Sequence, residues 1–190
     1  FYIATSSDIY TTSTVPRITL LSTGLIGIGT ATPSSQLSIE GTCVDTGAGC
    51  ADITELYPST EPVESGDIVA VDKNKPGAVK KAAVKEDVLL GVVSTRPAIT
   101  IEGSSLQFLS PVGYKNSPEK PAVALSGRVP VKVSTEAGPI KIGDRITSSS
   151  LAGIGMKATT SGVAVGIALD NFDGSNSTTT AEVELLAGSP

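Results

Sequence analysis

The stretch "STGLIGIGTATPSSQLSIEGT", Ser22 to Thr42, admits two readings, and the choice between them sets the fold of everything around it. A phosphate-cradling loop requires G-x-G-x-x-G passing straight into a helix. Here the order is Gly24, Gly27, Gly29, followed by "TATPSS", where Pro33 and the Ser/Thr cluster oppose a helix. The stretch also holds no Lys or Arg to meet a phosphate. The second reading is a strand. In "LIGIG" large and tiny residues alternate, so Ile26 and Ile28 share one face while Gly27 and Gly29 occupy the other, where another backbone can approach closely. So short a segment cannot bury its apolar face alone; it needs neighbours, and identical neighbours around an axis would serve. Ile18, Leu20, Leu25, Ile26, Gly27, Ile28 and Gly29 are therefore the candidate oligomerisation residues.

The bulk composition agrees with a strand-built protein. In 190 residues there are 20 Gly and 12 Pro but few aromatics, so turns are frequent and elements short. Apolar runs are too short to cross a bilayer as a helix, and no membrane insertion is expected. The chain opens on Phe1 and not Met, as expected of a processed product or a fragment. Nineteen acidic and 14 basic residues are spread along it, giving a net charge of −5 and no basic stripe, so nucleic acid is not an expected partner. The absence of His removes Ser-His-Asp and Cys-His catalysis and the commonest metal ligand; neither a metal nor a cofactor is expected. The two cysteines, Cys43 and Cys50 in "CVDTGAGC", are read as a disulfide closing a Gly-rich loop, which implies an oxidising, extracellular setting.

"GLIGIGTATPSSQLSIEG" resembles the "VGIGTTSPSAKLHVSG"-type unit of trimeric extracellular fibres, found in phage tail fibres and large repetitive bacterial surface proteins. The resemblance covers about the first 42 residues and implies a slender β-shaft in which three chains intertwine. One copy is present, as in a last shaft unit before a terminal domain. "CADITELYP", "SGDIVAVD", "VKKA" and "LLGVVS", from Ala51 to about Thr95, resemble the autoproteolytic intramolecular-chaperone domain of phage neck-appendage proteins. That likeness implies a β-rich body that assists assembly and is cut near its start. Ile53-Thr54 departs from the aromatic-Ala pair of that family. "KNSPEKPAVALSGRVPVKVSTEAGPIKIGD" is similar to terminal domains of large bacterial surface proteins.

The second half of the argument is an internal repeat. Gly66-Asp67 matches Gly143-Asp144, Val79-Lys80-Lys81-Ala82 matches Gly155-Met156-Lys157-Ala158, and Leu90-Gly91-Val92-Val93 matches Val165-Gly166-Ile167-Ala168. This predicts two copies of one β unit, about 63–95 and 140–170. Gly66, Asp67, Gly143 and Asp144 form the entry turns, with each Asp holding local backbone N–H groups. Because Gly153, Gly155 and Gly162 rule out a helix in the second copy, "AVKKAAV" in the first is read as a strand. In "RVPVKVS", Val129, Val131 and Val133 share a face, and Pro130 predicts an edge or a neighbouring bulge. "VAVGIAL" and "AEVELL" alternate likewise.

The expected architecture is all-β: a short β-shaft segment over 1–42, then a cysteine loop and short helical turn over 43–58. A compact C-terminal β-barrel or sandwich built from the duplication follows over 59–190. The one expected helical turn starts at Asp52, an N-cap with Glu55 three residues on and Pro58 as the stop. Asp52 and Glu55 are also the candidate acid/base pair should the chain cleave itself. Lys115, Lys120, Arg128 and Lys132 are the candidate basic patch, and Tyr2, Tyr10, Tyr57 and Tyr114 the candidate glycan-stacking residues. The functional expectation is a non-enzymatic structural subunit or cap of an extracellular homo-oligomeric fibre, on a cell surface or virion. Its partners would be identical chains, with a host glycan or protein at the attachment end. Two alternatives stand beside it: a self-cleaving chaperone domain, and a filament subunit whose N-terminal strand "FYIATSSDIY" fills a neighbour's sheet edge.

Overall fold

In the computed structural model, residues 2–3, 18–39, 52–83, 88–108, 115–175 and 180–185 are described. Cys43, Cys50, Tyr10 and Tyr114 lie outside them. The chain divides into two compact units, Phe1–Val44 and Asp45–Pro190. Among the described residues every regular element is a strand; the fold is all-β.

Among its described residues the first unit has one sheet of four short strands in sequence order: β1 (Tyr2–Ile3), β2 (Ile18–Leu20), β3 (Ile26–Ile28) and β4 (Leu37–Ile39). The first three are antiparallel, and β3 and β4 run parallel. Ile18 lies opposite Ile28, and Leu20 opposite Ile26, which in turn faces Leu37. Thr19, Gly27 and Ser38 are aligned on the reverse face. That reverse face is covered by the unit's own turn, since Thr19 Oγ1 donates to the Thr30 carbonyl at 2.7 Å and Thr30 and Pro33 are buried. Gly27 is required there: a Cβ would sit 2.6 Å from the Thr30 carbonyl oxygen.

The second unit holds β5 (Asp52–Leu56), β6 (Ile68–Val71), β7 (Val79–Lys81), β8 (Leu89–Val93), β9 (Ile99–Glu102), β10 (Ser105–Phe108) and β11 (Ala122–Lys132). It continues with β12 (Arg145–Ser148), β13 (Gly155–Lys157), β14 (Gly166–Ala168) and β15 (Thr180–Leu185). The main path runs β10-β9-β5-β11-β15-β14-β12-β13, with β6 joined to β7 and β8, and β8 to β11. The arrangement is sandwich-like, and this strand path does not close into a barrel.

The duplication is plain in the pairing. β6 pairs with β7 and β8, and β12 pairs with β13 and β14. Equivalent backbone bonds recur: Val93 N–H to Asp67 O and Ala168 N–H to Asp144 O, both at 2.9 Å. Ala82 N–H to Ile68 O and Ala158 N–H to Arg145 O likewise correspond. The copies meet asymmetrically. Gly153, at the tip of the second copy's hairpin, donates to Ala82 O and accepts from Ile68 N–H in the first.

β11 belongs to both layers. Its first half pairs with β5 and β8 and its second with β15, with an irregularity at Ala124/Ser126. Val129, Val131 and Val133 are buried as their alternation requires. Of the edge or neighbouring bulge expected at Pro130, the structure has an irregularity at Ala124/Ser126 of the same strand; β11 is central, and the proline lies beyond the end of the β5 ladder, where β15 alone pairs with it. The first copy is buried on both faces. Ile68, Ala70, Val92 and Ala124 enter the larger core, whereas Val69, Val79, Val93 and Val123 form a second one. The uninterrupted apolar run of β6 reflects this double burial.

The helical turn expected at Asp52 is a strand instead. β5 is paired along both edges, antiparallel to β11 and parallel to β9. Ladders on two sides satisfy the backbone of a five-residue segment, whereas a single helical turn carries the full cost of nucleation.

Closeness of backbones gives a test. A Cβ on Gly91 would lie 2.1 Å from the Ala124 carbonyl oxygen, so Gly91→Ala must force β8 from β11. Gly91→Ala is expected to cost about 3 kcal/mol in urea unfolding. Gly103→Ala, at a φ of 57° with open space around it, should cost about 1 kcal/mol.

Candidate functional site

The most tightly connected polar cluster in the second unit grows from the Gly-Asp turn. Gly66 holds a φ of 85°, which aims the Asp67 carboxylate inward, and Asp67 is 1% exposed. Its Oδ1 lies 2.8 Å from Lys132 Nζ of β11, and its Oδ2 lies 3.2 Å from Lys81 Nζ of β7. The Glu64 N–H donates to Oδ2 at 2.9 Å. Lys132 also reaches Glu64 at 2.9 Å. Burial disfavours the Lys132 ammonium, but its bonds to Asp67 and Glu64 outweigh this and hold its pKa above the usual value. The bond from Lys132, and then its charge, keep the exposed Glu64 carboxyl below the usual range.

The second copy repeats this in reduced form. The Lys141 N–H donates to Asp144 Oδ2 at 2.8 Å, and Lys157 Nζ lies 2.9 Å from the same oxygen. That bond, followed by the one from Lys157, lowers the Asp144 pKa. Asp144 is 22% exposed, and Lys157, which the repeat aligns with Lys81, is its ion-pair partner. The alignment contained the signal for both lysines; nothing in it pointed to Lys132, which arrives from outside the repeat.

Asp52 and Glu55 are not brought together. Three residues apart on β5, they point to opposite faces. Asp52 is buried, accepting from Ser94 Oγ and from the Ala98 N–H at 2.9 Å, and so holds the segment that leads from β8 to β9. Burial raises its pKa against the opposing effect of these bonds. Glu55 accepts from the Tyr57 hydroxyl at 2.7 Å. Burial, then Glu55, pushes the Tyr57 pKa up to about 12. Ser94 was not legible as a partner, being 42 residues away in sequence.

Of the candidate basic patch, Lys132 is committed to Asp67 and Lys120 to Glu102. Among the described residues no group of three metal-ligating side chains is gathered. A pocket of about 140 Å³ is lined by Thr147, Met156, Thr159, Thr160, Ser161 and Val163, with no titratable side chain among its lining residues. Of the candidate oligomerisation residues, Ile18, Leu25 and Gly29 are half-buried and Gly27 is buried. Leu20, Ile26 and Ile28 are exposed, at 39%, 38% and 42%, and Leu37 beside them at 51%.

No protein-family model matches the chain, and no curated protein sequence does so either. Two solved structures are similar in shape. A C-terminal fragment of bacteriophage phi29 gene product 12 is 18% identical with a TM-score of 0.48, over 71% of this chain and 100% of that one. The pre-mature phi29 gene product 12 is 16% identical with a TM-score of 0.47, over 72% of this chain and 21% of that one. At TM-scores below 0.5 these likenesses assign this chain no role.

Two substitutions separate the two Gly-Asp turns. Asp67→Ala leaves two lysines facing a buried gap and is expected to cost about 3 kcal/mol in urea unfolding. Asp144→Ala, at the partly exposed equivalent, should cost less than about 1 kcal/mol. For Asp52 the folded-state pKa lies above the unfolded value, so folding takes up protons there. Its contribution to stability is full below the unfolded pKa of about 3.9 and is lost as pH rises through the folded value. The stability of the wild type minus that of Asp52→Asn should therefore fall as pH rises above about 4, read as the shift of the urea midpoint.

Proposed function

We propose that this chain is a structural subunit of an extracellular or virion appendage that assembles with identical chains through its small sheet. The observation that carries this is the arrangement of that sheet. Leu20, Ile26, Ile28 and Leu37 are exposed side by side, while Thr19, Gly27 and Thr30 are buried on the reverse. No charged residue occurs from Ile18 to Ile39, so the aliphatic face of the strands carries no charge toward a partner. The resemblance of "GLIGIGTATPSSQLSIEG" to fibre-shaft units supports three chains around an axis. β1 pairs with β2 of its own chain, which favours this reading over donation of the N-terminal strand to a neighbour. The separation of Asp52 and Glu55 onto opposite faces favours a non-enzymatic role, in which the chain stays whole.

Light scattering on the purified chain tests this. The wild type should run at three times the 19.2 kDa of one chain at micromolar concentration. Ile26→Glu with Ile28→Glu, both exposed and so tolerated by the fold, should run at the mass of a single chain. A wild type that is monomeric under these conditions overturns the proposal.

A further inference from the structure

We propose that the outer face of β5, β9 and β10 is a second self-association surface, seated against the same partner copies that the small sheet engages. The inference rests on the reading above and extends it to the second unit.

The ladder places Ile53 opposite Ile99, and Ile101 opposite Leu106, so their side chains share one face. Ile53 is 44% exposed and Leu106 53% exposed, with Ile99 and Ile101 half-buried. Nearest β11 the reverse face is polar and buried, at Asp52, Thr54 and Thr100, whereas Glu102 is half-buried and Ser105 and Gln107 of β10 are exposed there. Thr54 Oγ1 is satisfied there by Ile99 O at 2.9 Å and by Thr100 Oγ1 at 3.1 Å. This is the ordinary pattern of a half-buried sheet turned inside out. The first unit is inverted in the same way, with hydroxyls within and aliphatic side chains without. In both places the buried polar atoms have partners, so the inversion is a settled feature of the fold rather than a packing fault.

Three features identify the occupant as a second copy. The one carboxylate on this face, Glu55, is half-buried and bonded to the Tyr57 hydroxyl, and no basic residue lies on β5, β9 or β10, so a charged partner would find a single ion pair at most. β10, "SLQF", carries neither charge nor proline, the usual guards of a strand at the end of a sheet. The third is area. The small-sheet face spans three strands of three residues, on the order of 150 Å² in plan, against roughly 800 Å² per partner in a stable interface. A second apolar patch on the same chain supplies part of that deficit. Copies already held by one face meet at the other at high effective concentration.

The test uses the full chain in sedimentation velocity across a dilution series. Ile53→Glu with Leu106→Glu should require at least tenfold higher concentration than wild type to assemble. Leu106→Ile should assemble as wild type does. As a check independent of any substitution, hydrogen exchange on the wild type should show the amides of residues 105–108 slowing as concentration rises through assembly. If the Glu variant assembles as tightly as wild type, or those amides ignore concentration, this surface is not used, and the small-sheet reading survives wherever Ile26→Glu with Ile28→Glu still dissociates the assembly. A monomeric wild type removes both.

Discussion

Three pieces of the second unit meet on one buried carboxylate. Asp67 sits at the seam where three pieces of chain meet: its own Gly-Asp turn, β11 through Lys132, and the second copy of the repeat through Gly153. A Cβ at Gly153 would lie 3.0 Å from the Asp67 carboxyl carbon, so the hairpin tip rests directly on the acid. An anion in that position is tolerable only because two ammonium groups and a backbone N–H surround it.

The seam also explains why two copies of similar sequence differ in energetic weight. The first copy lies between two cores and is covered by the second, whereas Asp144 meets solvent and one lysine. A duplication packed head to tail must treat its members unequally, because one presents its turn and the other receives it. In the first copy the same Gly-Asp turn is structural masonry, and in the second it is a surface turn.

Both units place hydroxyls inside and aliphatic side chains outside over part of their surface. A monomer gains nothing from that pattern, since apolar area left in water contributes no burial. In the first unit the reverse face is closed by a turn so near the strand that only glycine fits at position 27. Among the described residues of that unit, Leu20, Ile26, Ile28 and Leu37 stay exposed on the opposite face.

Much of this was legible in the residues themselves. The alternation in "LIGIG" determined a strand with its isoleucines on one side, and the repeat alignment determined two equivalent β units with Gly-Asp entries, because period and backbone freedom are local properties. The alternation of Val129, Val131 and Val133 likewise stated which side of β11 would be buried. What local pattern could not settle was decided by long-range pairing. "DITEL" carries a helix-start pattern, yet ladders from β9 and β11 made it a strand and sent Asp52 and Glu55 to opposite sides. Ser94 and Lys132 became partners of Asp52 and Asp67 across 42 and 65 residues, a proximity that no spacing encodes. The exposure of Ile53 and Leu106 belongs to the tertiary structure too, because which face of a strand meets solvent depends on what the rest of the chain lays against the other.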